Sequence, residues 1–208
     1  MRIIAGEFRG RRIEAPDTDG TRPMLDRVRE SVFATLGNVV DGAHVLDLYA
    51  GSGSLGLEAL SRGAAHVRFV EQARVALDAL KANVEELGVA DRVRIVRGNA
   101  LARGSWRDEE TGDGGISSRY DLIVFDPPYR LLDDPNDRAK LLKAADDLIA
   151  DHLDEGGVFV FHAPDRALNA LRLPSGRTGD LRTYGTSAIL YLWKNAGGHG
   201  PARAPGER

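Results

Sequence analysis

An acid, two prolines and an aromatic ring follow directly on an apolar run in the stretch IVFDPPYR, Ile123–Arg130. Proline cannot donate to a sheet ladder, so the predicted strand ends at Asp126. The Asp126 carboxylate and the carbonyl of Pro127 are two acceptors for the N–H groups of an exocyclic nucleobase amine, whose lone pair is otherwise delocalised into the ring. Pro127 and Pro128 stiffen the segment, which favours a preorganised site. Tyr129 offers a flat face on which a base can stack.

A glycine loop lies upstream, in LDLYAGSGSLG, between a predicted strand and a predicted helix. Gly51, Gly53 and Gly56 satisfy G-x-G-x-x-G, and Glu71 ends the next predicted strand. In a parallel sheet these positions converge at the carboxyl ends of the strands, where ligands bind and an acid can accept from ribose hydroxyls. A dinucleotide site would satisfy the pattern equally well. Asp47, inside the strand, favours a cationic ligand such as S-adenosylmethionine, which carries an ammonium and a sulfonium but no phosphate.

With this acid and this loop, the chain resembles the class I S-adenosylmethionine-dependent methyltransferases. The resemblance implies that Tyr49 and the loop glycines lie at the cofactor and that Glu71 holds its ribose. It also implies that Asn99 and Ala100, after the third predicted strand, contact the adenine, although many relatives carry Asp in place of Asn99. The DPPY motif, Asp126–Tyr129, is similar to the fourth motif of methyltransferases that act on adenine, cytosine or guanine amines in nucleic acids.

Strand and helix patterns alternate from His44 onward and would position these residues. The predicted strands are HVLDLYA, HVRFVE, RVRIVRG, YDLIVFD and GGVFVFHA, with helical patterns between them. This alternation predicts a parallel sheet with helices on both faces, and LRTYGTSAILYLWK is typical of a strand pair at its edge. Together with the resemblance, it predicts an α/β fold of the class I methyltransferase (Rossmann-like) type, with a mostly parallel seven-stranded sheet.

The first 40 residues lack the alternating strand and helix patterns of the rest of the chain. Residues 1–15 are expected to form a β-hairpin, and apolar side chains at helical spacing predict a helix from Leu25 to Leu36. We therefore expect an N-terminal appendage over 1–40 and a catalytic domain over 41–195.

Two further stretches are polar and rich in glycine. Residues 102–118 are either a functional lid or disordered, and we expect disorder. The tail, 196–208, has little to bury and is also expected to be disordered.

Composition narrows the classes of function. The 208 residues include 42% hydrophobic residues, no cysteine and a net charge of −3, so thiolate chemistry is excluded and any nucleic-acid contact must be local. No apolar run is long enough for a membrane helix and no signal peptide is evident, so we expect a cytoplasmic protein. We expect no metal site, because cysteine is absent and the histidines lack ligand spacing. Four histidines lack ligand spacing and are predicted to be structural: His44, His66, His152 and His162.

The N-terminal region carries a more specific resemblance. MRIIAGEFRGRRIEAP, TRPMLDRVRESVFATL, DLYAGSGSLGLEALSRGA and DPPY resemble, from Met1 to about Trp193, the family of bacterial 16S rRNA (guanine(966)-N2)-methyltransferases. Its most specific part is RIIAG with RGR, followed by TRP with DRVRE. Met24 departs from the threonine expected after TRP, and the 102–118 stretch is longer than expected.

The resemblance implies that the N-terminal hairpin and helix bind RNA through phosphate contacts. The matching basic positions are Arg9, Arg11, Arg12, Arg22 and Arg27. An ordinary solvated turn would also explain the first three, and a salt-bridged helix face the last two. The expected partner is 16S rRNA, the small ribosomal subunit or its assembly intermediate, with the protein as a monomer.

These features favour an S-adenosylmethionine-dependent enzyme that methylates the N2 amine of a guanine in 16S rRNA, with guanine 966 or its equivalent as the target. Three alternatives remain: a DNA adenine-N6 or cytosine-N4 methyltransferase, a nucleotide-dependent oxidoreductase, and an inert RNA-binding assembly protein. The oxidoreductase would explain the glycine loop but not DPPY.

Overall fold

The computed structural model describes residues 1–15, 24–107, 119–168 and 171–194. Seven strands and six helices lie in these ranges. In chain order the elements are α1 (Asp26–Leu36), β1 (His44–Leu48), α2 (Ser54–Ser61), β2 (His66–Glu71), α3 (Arg74–Leu87), β3 (Val93–Arg97), β4 (Tyr120–Phe125), α4 (Arg130–Asp133), α5 (Pro135–Asp151), β5 (Leu153–Pro164), α6 (Asp165–Leu168), β6 (Asp180–Tyr184) and β7 (Ser187–Trp193). Short 3₁₀ turns span Gly37–Val40, Ala90–Arg92 and Arg103–Trp106.

The strands form one sheet in the order β3-β2-β1-β4-β5-β7-β6. All neighbours from β3 to β5 are parallel, while β7 runs antiparallel to both β5 and β6. The direction of winding reverses between β1 and β4, which is the position where ligands bind in open α/β sheets. The predicted α/β fold with a mostly parallel seven-stranded sheet is confirmed.

Both faces of the sheet are covered because successive side chains of a strand point to opposite sides. Val45 belongs to the core shared with α1, α2 and α3, whereas its neighbour Leu46 belongs to the core shared with α5. The boundaries of α5 follow from local chemistry. Asp134 caps its first turn, accepting from the backbone N–H groups of Asn136 and Asp137, and Pro135 occupies the first turn where its missing N–H is tolerated.

The N-terminal segment forms a hairpin with one isolated bridge, Arg2 to Arg12, rather than two regular strands. Ile3 and Ile13 are buried in the same core as the sheet and α1. The described part of the first 40 residues therefore packs in the same core as the sheet, and the boundary at residue 40 stays a prediction.

The expected disorder of 102–118 is wrong for its first part. Residues Arg103–Trp106 form a 3₁₀ turn, and the buried Trp106 indole donates to the Ala100 carbonyl at 2.8 Å. The Tyr120 hydroxyl donates in turn to the Trp106 carbonyl. The rest of that stretch, 108–118, and the predicted tail lie outside the described residues. Among those described, no helix has the length and apolar character required to span a bilayer.

Candidate active site

The end of β4 lies at the middle of the sheet, between β1 and β5. Register pairs Phe125 with Leu48 on one side and with Phe161 on the other. The Asp126 N–H still donates to the Leu48 carbonyl, at 3.3 Å, before the two prolines end the strand. In the strand order, Asp126 is one strand away from β1 and two strands away from β2, at whose end Glu71 lies. Neighbouring strands lie about 4.8 Å apart.

The glycine loop lies at this rim, and its glycines have different roles. Gly51 and Gly53 have positive φ angles of 57° and 83°, and Tyr49 is the non-glycine residue with positive φ, 60°, among those described. A Cβ on Gly56 would lie 2.3 Å from the Phe69 ring, so this glycine permits α2 to pack on the sheet. A Cβ on Gly51 would meet nothing within 4 Å, so the backbone there faces open space that a ligand can approach.

Asp47 lies beneath the loop. It is 1% exposed, and its Oδ2 accepts from the Gly56 N–H at 2.9 Å. Burial raises its pKa to about 8, and the nearby carboxylates of Asp126 and Glu71 add to the shift. Asp47 thus supports the start of α2, and its predicted contact with a cofactor stays a prediction.

Glu71 is half-buried and supports the loop from β2. Its Oε2 accepts from the Gly51 N–H at 2.9 Å, and its Oε1 accepts from the N–H groups of Gln72 and Ala73. A carboxylate offers about four lone-pair positions and these bonds use three of them, so one position on Oε2 remains for a ribose hydroxyl.

The predicted adenine contacts, Asn99 and Ala100, follow β3 at the same rim. Asn99 is exposed, but its Oδ1 accepts from the Leu101 N–H at 2.9 Å. The oxygen expected to meet the adenine amine is therefore already engaged by the chain's own backbone. Ala100 is buried, and its carbonyl accepts from Trp106.

The DPPY motif forms the second half of the rim. The Asp126 side chain is 29% exposed, Pro127 is buried and Tyr129 is 37% exposed. His162, at the corresponding position of β5, lies 2.7 Å through Nδ1 from Asp126 Oδ1. Its Nε2 lies 3.2 Å from the Tyr129 hydroxyl, which is 3.3 Å from the Ser187 hydroxyl.

His162 contacts two residues of the motif, Asp126 and Tyr129, and the prediction that it is structural stays a prediction. Burial would lower its pKa, but the charge and hydrogen bond of Asp126 outweigh burial and raise it. The sequence held only part of the signal: His162 follows the apolar run of its strand as Asp126 follows that of β4, but their contact depends on the adjacency of β4 and β5.

Four of the five predicted RNA-binding arginines lie in the described residues. Arg9, Arg12 and Arg27 are exposed. Arg11 donates to both the backbone and side-chain oxygens of Glu86, at 2.8 and 2.9 Å, near the end of α3. Arg22 lies outside the described residues.

The chain is similar to proteins from several bacteria. A family model described as Conserved hypothetical protein 95 matches residues 1–192. The Bacillus subtilis (strain 168) protein YlbH, named provisionally as an rRNA methyltransferase, is 36% identical over 205 residues, which cover 95% of this chain and 100% of that protein. Ribosomal RNA small subunit methyltransferase D of Escherichia coli (strain K12) is 39% identical over 130 residues, 62% of this chain and 61% of the relative.

The chain is also similar to solved structures of methyltransferases. The Escherichia coli protein yhhF, described provisionally as a methyltransferase, has a TM-score of 0.72 and 30% identity, covering 93% of this chain and 98% of that one. The Thermus thermophilus 16S rRNA N2 G1207 methyltransferase, solved with AdoMet and guanosine, has a TM-score of 0.61. At 21% identity over 86% of this chain and 45% of that one, it shows the fold alone.

The fold is thus that of the class I Rossmann-like methyltransferases, and the family model covers the N-terminal segment, the glycine loop and the DPPY strand together. The chain belongs to the family described as Conserved hypothetical protein 95, which confirms the family resemblance found in its sequence.

Proposed function

We propose that the protein transfers a methyl group from S-adenosylmethionine to the exocyclic N2 amine of a guanine in 16S rRNA, with guanine 966 or its equivalent as the target. The observation that carries the proposal is a partly exposed carboxylate, Asp126, followed by two prolines at the rim that also holds the glycine loop. The relatives named as rRNA methyltransferases support the substrate class.

The residues at the loop fit the cofactor. Gly51 leaves open space above its backbone, and Glu71 Oε2 keeps one acceptor position for a ribose hydroxyl. Tyr49, Gly53, Asn99 and Ala100 would surround the remainder, and Asp47, whose ionised form a bound cation would favour, lies beneath the loop. When bound, S-adenosylmethionine supplies an electrophilic methyl group on a sulfonium and departs as a neutral thioether.

The residues of the DPPY motif would prepare the nucleophile. The second oxygen of Asp126 and the carbonyl of Pro127 accept from the two N–H groups of the amine, which favours the pyramidal geometry that exposes the nitrogen lone pair. Pro127 and Pro128 hold these acceptors in place before the substrate arrives. Tyr129 stacks on the base, which must be unpaired or flipped out of its helix to reach the rim.

The N-terminal segment would hold the RNA backbone. α3 has 14 residues and is about 21 Å long. It begins after β2 and ends before β3, so its last turn, which holds Arg11, lies at the opposite end of the sheet from Asp126. Phosphate contacts by Arg9 and Arg12 on this hairpin would therefore require RNA that extends well beyond the target base, as small-subunit RNA does, whether naked or partly assembled.

The test is methyl transfer from labelled S-adenosylmethionine to small-subunit RNA and, in parallel, to duplex DNA, with the product nucleoside identified by mass spectrometry. We expect N2-methylguanosine in RNA. Asp126→Ala should lower kcat by about 10²-fold, the typical effect of removing one preorganised polar group, while the Kd for S-adenosylmethionine changes little. Asp133→Ala, at an exposed acid after the motif, is the matched control. Undiminished activity of Asp126→Ala, or a methylated base in DNA alone, would contradict the proposal.

A further inference from the structure

We propose that His162 is a positioning residue for the methyl transfer, acting through both Asp126 and Tyr129. The inference rests on the proposed function and assigns a role to a side chain that the DPPY motif does not contain. The imidazole would fix the acceptor that orients the amine and the ring on which the base stacks.

The position of His162 follows from the sheet. Phe161 pairs with Phe125, so the next residues along the two parallel strands, His162 and Asp126, also lie beside each other. The alternation of side chains places both on the sheet face that carries Val124 and Val160. The His162 side chain is 4% exposed, so its orientation is set by packing and hydrogen bonds rather than by solvent.

The tautomer follows from its partner. An ionised carboxylate only accepts, so Nδ1 carries a proton and donates to Asp126 at 2.7 Å. In the neutral imidazole, Nε2 then accepts from the Tyr129 hydroxyl at 3.2 Å, and Ser187 can donate to the same hydroxyl oxygen. These contacts form a continuous chain from Ser187 on β7 to Asp126, the residue after β4.

This chain would solve a geometric problem of the motif. The Asp126 carboxylate is partly exposed and can rotate about its Cβ–Cγ bond, so neither oxygen has a fixed direction unless one of them is held. With Oδ1 held by His162, Oδ2 is the oxygen that remains for the amine. The same imidazole restrains Tyr129, so the acceptor and the stacking ring are fixed relative to each other.

Two variants separate this role from packing. His162→Phe keeps a ring of similar size in the core but loses both hydrogen bonds. His162→Asn places a side-chain N–H near the position of Nδ1 and keeps the contact with Asp126. We expect His162→Phe to lower kcat about 10- to 100-fold, the range expected for a lost hydrogen bond to a charged group, with little change in the Kd for S-adenosylmethionine. His162→Asn should recover most of kcat.

A measurement without turnover accompanies the kinetics. In the NMR spectrum of the full chain, the Nδ1–H of His162 should give a far-downfield proton signal that is lost in Asp126→Ala. Wild-type kcat in His162→Phe, equal losses in His162→Phe and His162→Asn, or absence of the signal would each overturn the inference. A wild-type protein that keeps the signal but does not methylate small-subunit RNA would instead overturn the proposed function, so the two failures are distinguishable.

Discussion

The Asp47 carboxyl group is almost completely excluded from water at the base of the glycine loop. Within the described residues no cationic side chain acts on its pKa, and two other carboxylates, Asp126 and Glu71, lie close enough to raise that pKa further. An ionised form is therefore disfavoured in the folded protein. Its pKa of about 8 means that, before any cationic ligand binds, Asp47 holds a proton at neutral pH.

Asp47→Asn should remove a pH-dependent loss of stability. The folded protein keeps the proton up to about pH 8, whereas the unfolded chain releases it near pH 4. The contribution of Asp47 to the free energy of unfolding is therefore complete below about pH 4. Between about pH 4 and about pH 8 that free energy falls by at most about 1.4 kcal/mol per pH unit. Asparagine keeps an acceptor for Gly56, so the variant should gain on wild type from pH 5 to pH 8 in urea denaturation. A difference in the free energy of unfolding that does not vary with pH would contradict this.

The position of a site residue can be predicted from the sequence when it depends only on where that residue's own strand ends. Asp126 and Glu71 were located at the rim because each ends an apolar run. His162 required the strand order as well, since only the adjacency of β4 and β5 brings it to Asp126. The pairing of Arg11 with Glu86 joins residues that are distant in sequence, and nothing in the local pattern RGRR predicts it.

At the scale of elements, the RIIAG motif has a packing role at the end of α2. The Gly6 backbone approaches so closely that a Cβ there would lie 1.7 Å from the Ser61 carbonyl. That carbonyl accepts from the Glu7 N–H at 2.7 Å, and the Ser61 hydroxyl accepts from the Phe8 N–H at 2.9 Å. The N-terminal segment is thus held on the helix that begins at the glycine loop.

Gly6 and Gly10 offer a matched pair of substitutions to alanine. Their φ angles are 84° and 82°, so a side chain suffers the same backbone strain at both, roughly 1–2 kcal/mol. Only Gly6 meets another atom, since a Cβ on Gly10 has nothing within 4 Å. We expect Gly10→Ala to lower the free energy of unfolding by about 1 kcal/mol and Gly6→Ala by several kcal/mol more, because backbone must move.

Hydrogen exchange separates loss of docking from a general loss of stability. In Gly6→Ala the amides of Glu7 and Phe8 should exchange much faster than those of β1 and β4. Equal destabilisation by the two variants would show that the contact with Ser61 has no energetic role.

The elements themselves were largely predictable, because apolar spacing and terminal glycines set their bounds locally. Apart from the strands expected in residues 1–15, which form one isolated bridge, the predicted strands lie where periodicity places them, and so does α1. The turn at Arg103–Trp106 is different, since its local composition is polar and glycine-rich. It is ordered by distant groups, including the Arg68 guanidinium, which donates to the Ser105 carbonyl at 2.9 Å from β2.

At the scale of the whole molecule, the net charge of −3 gives no sign of a polyanionic partner. The contacts of individual arginines are more informative than the net charge. Arg12 is exposed, whereas the adjacent Arg11 is paired with Glu86. Two neighbouring arginines of one motif therefore differ in their availability for phosphate.

This difference leads to a prediction for RNA binding. Each Lys or Arg that neutralises a phosphate releases counterions, so its removal reduces the salt dependence of the affinity by about one unit of slope. Arg12→Gln should weaken binding of a small-subunit RNA fragment and reduce that slope by about one, as measured by fluorescence anisotropy over a series of KCl concentrations. Arg11→Gln should leave the slope nearly unchanged, because its guanidinium is held by Glu86 and its loss mainly loosens the hairpin from α3. An equal reduction of the slope by both variants would mean that RNA displaces Glu86 from Arg11. The pairing seen in the free protein would then not limit the RNA-binding surface.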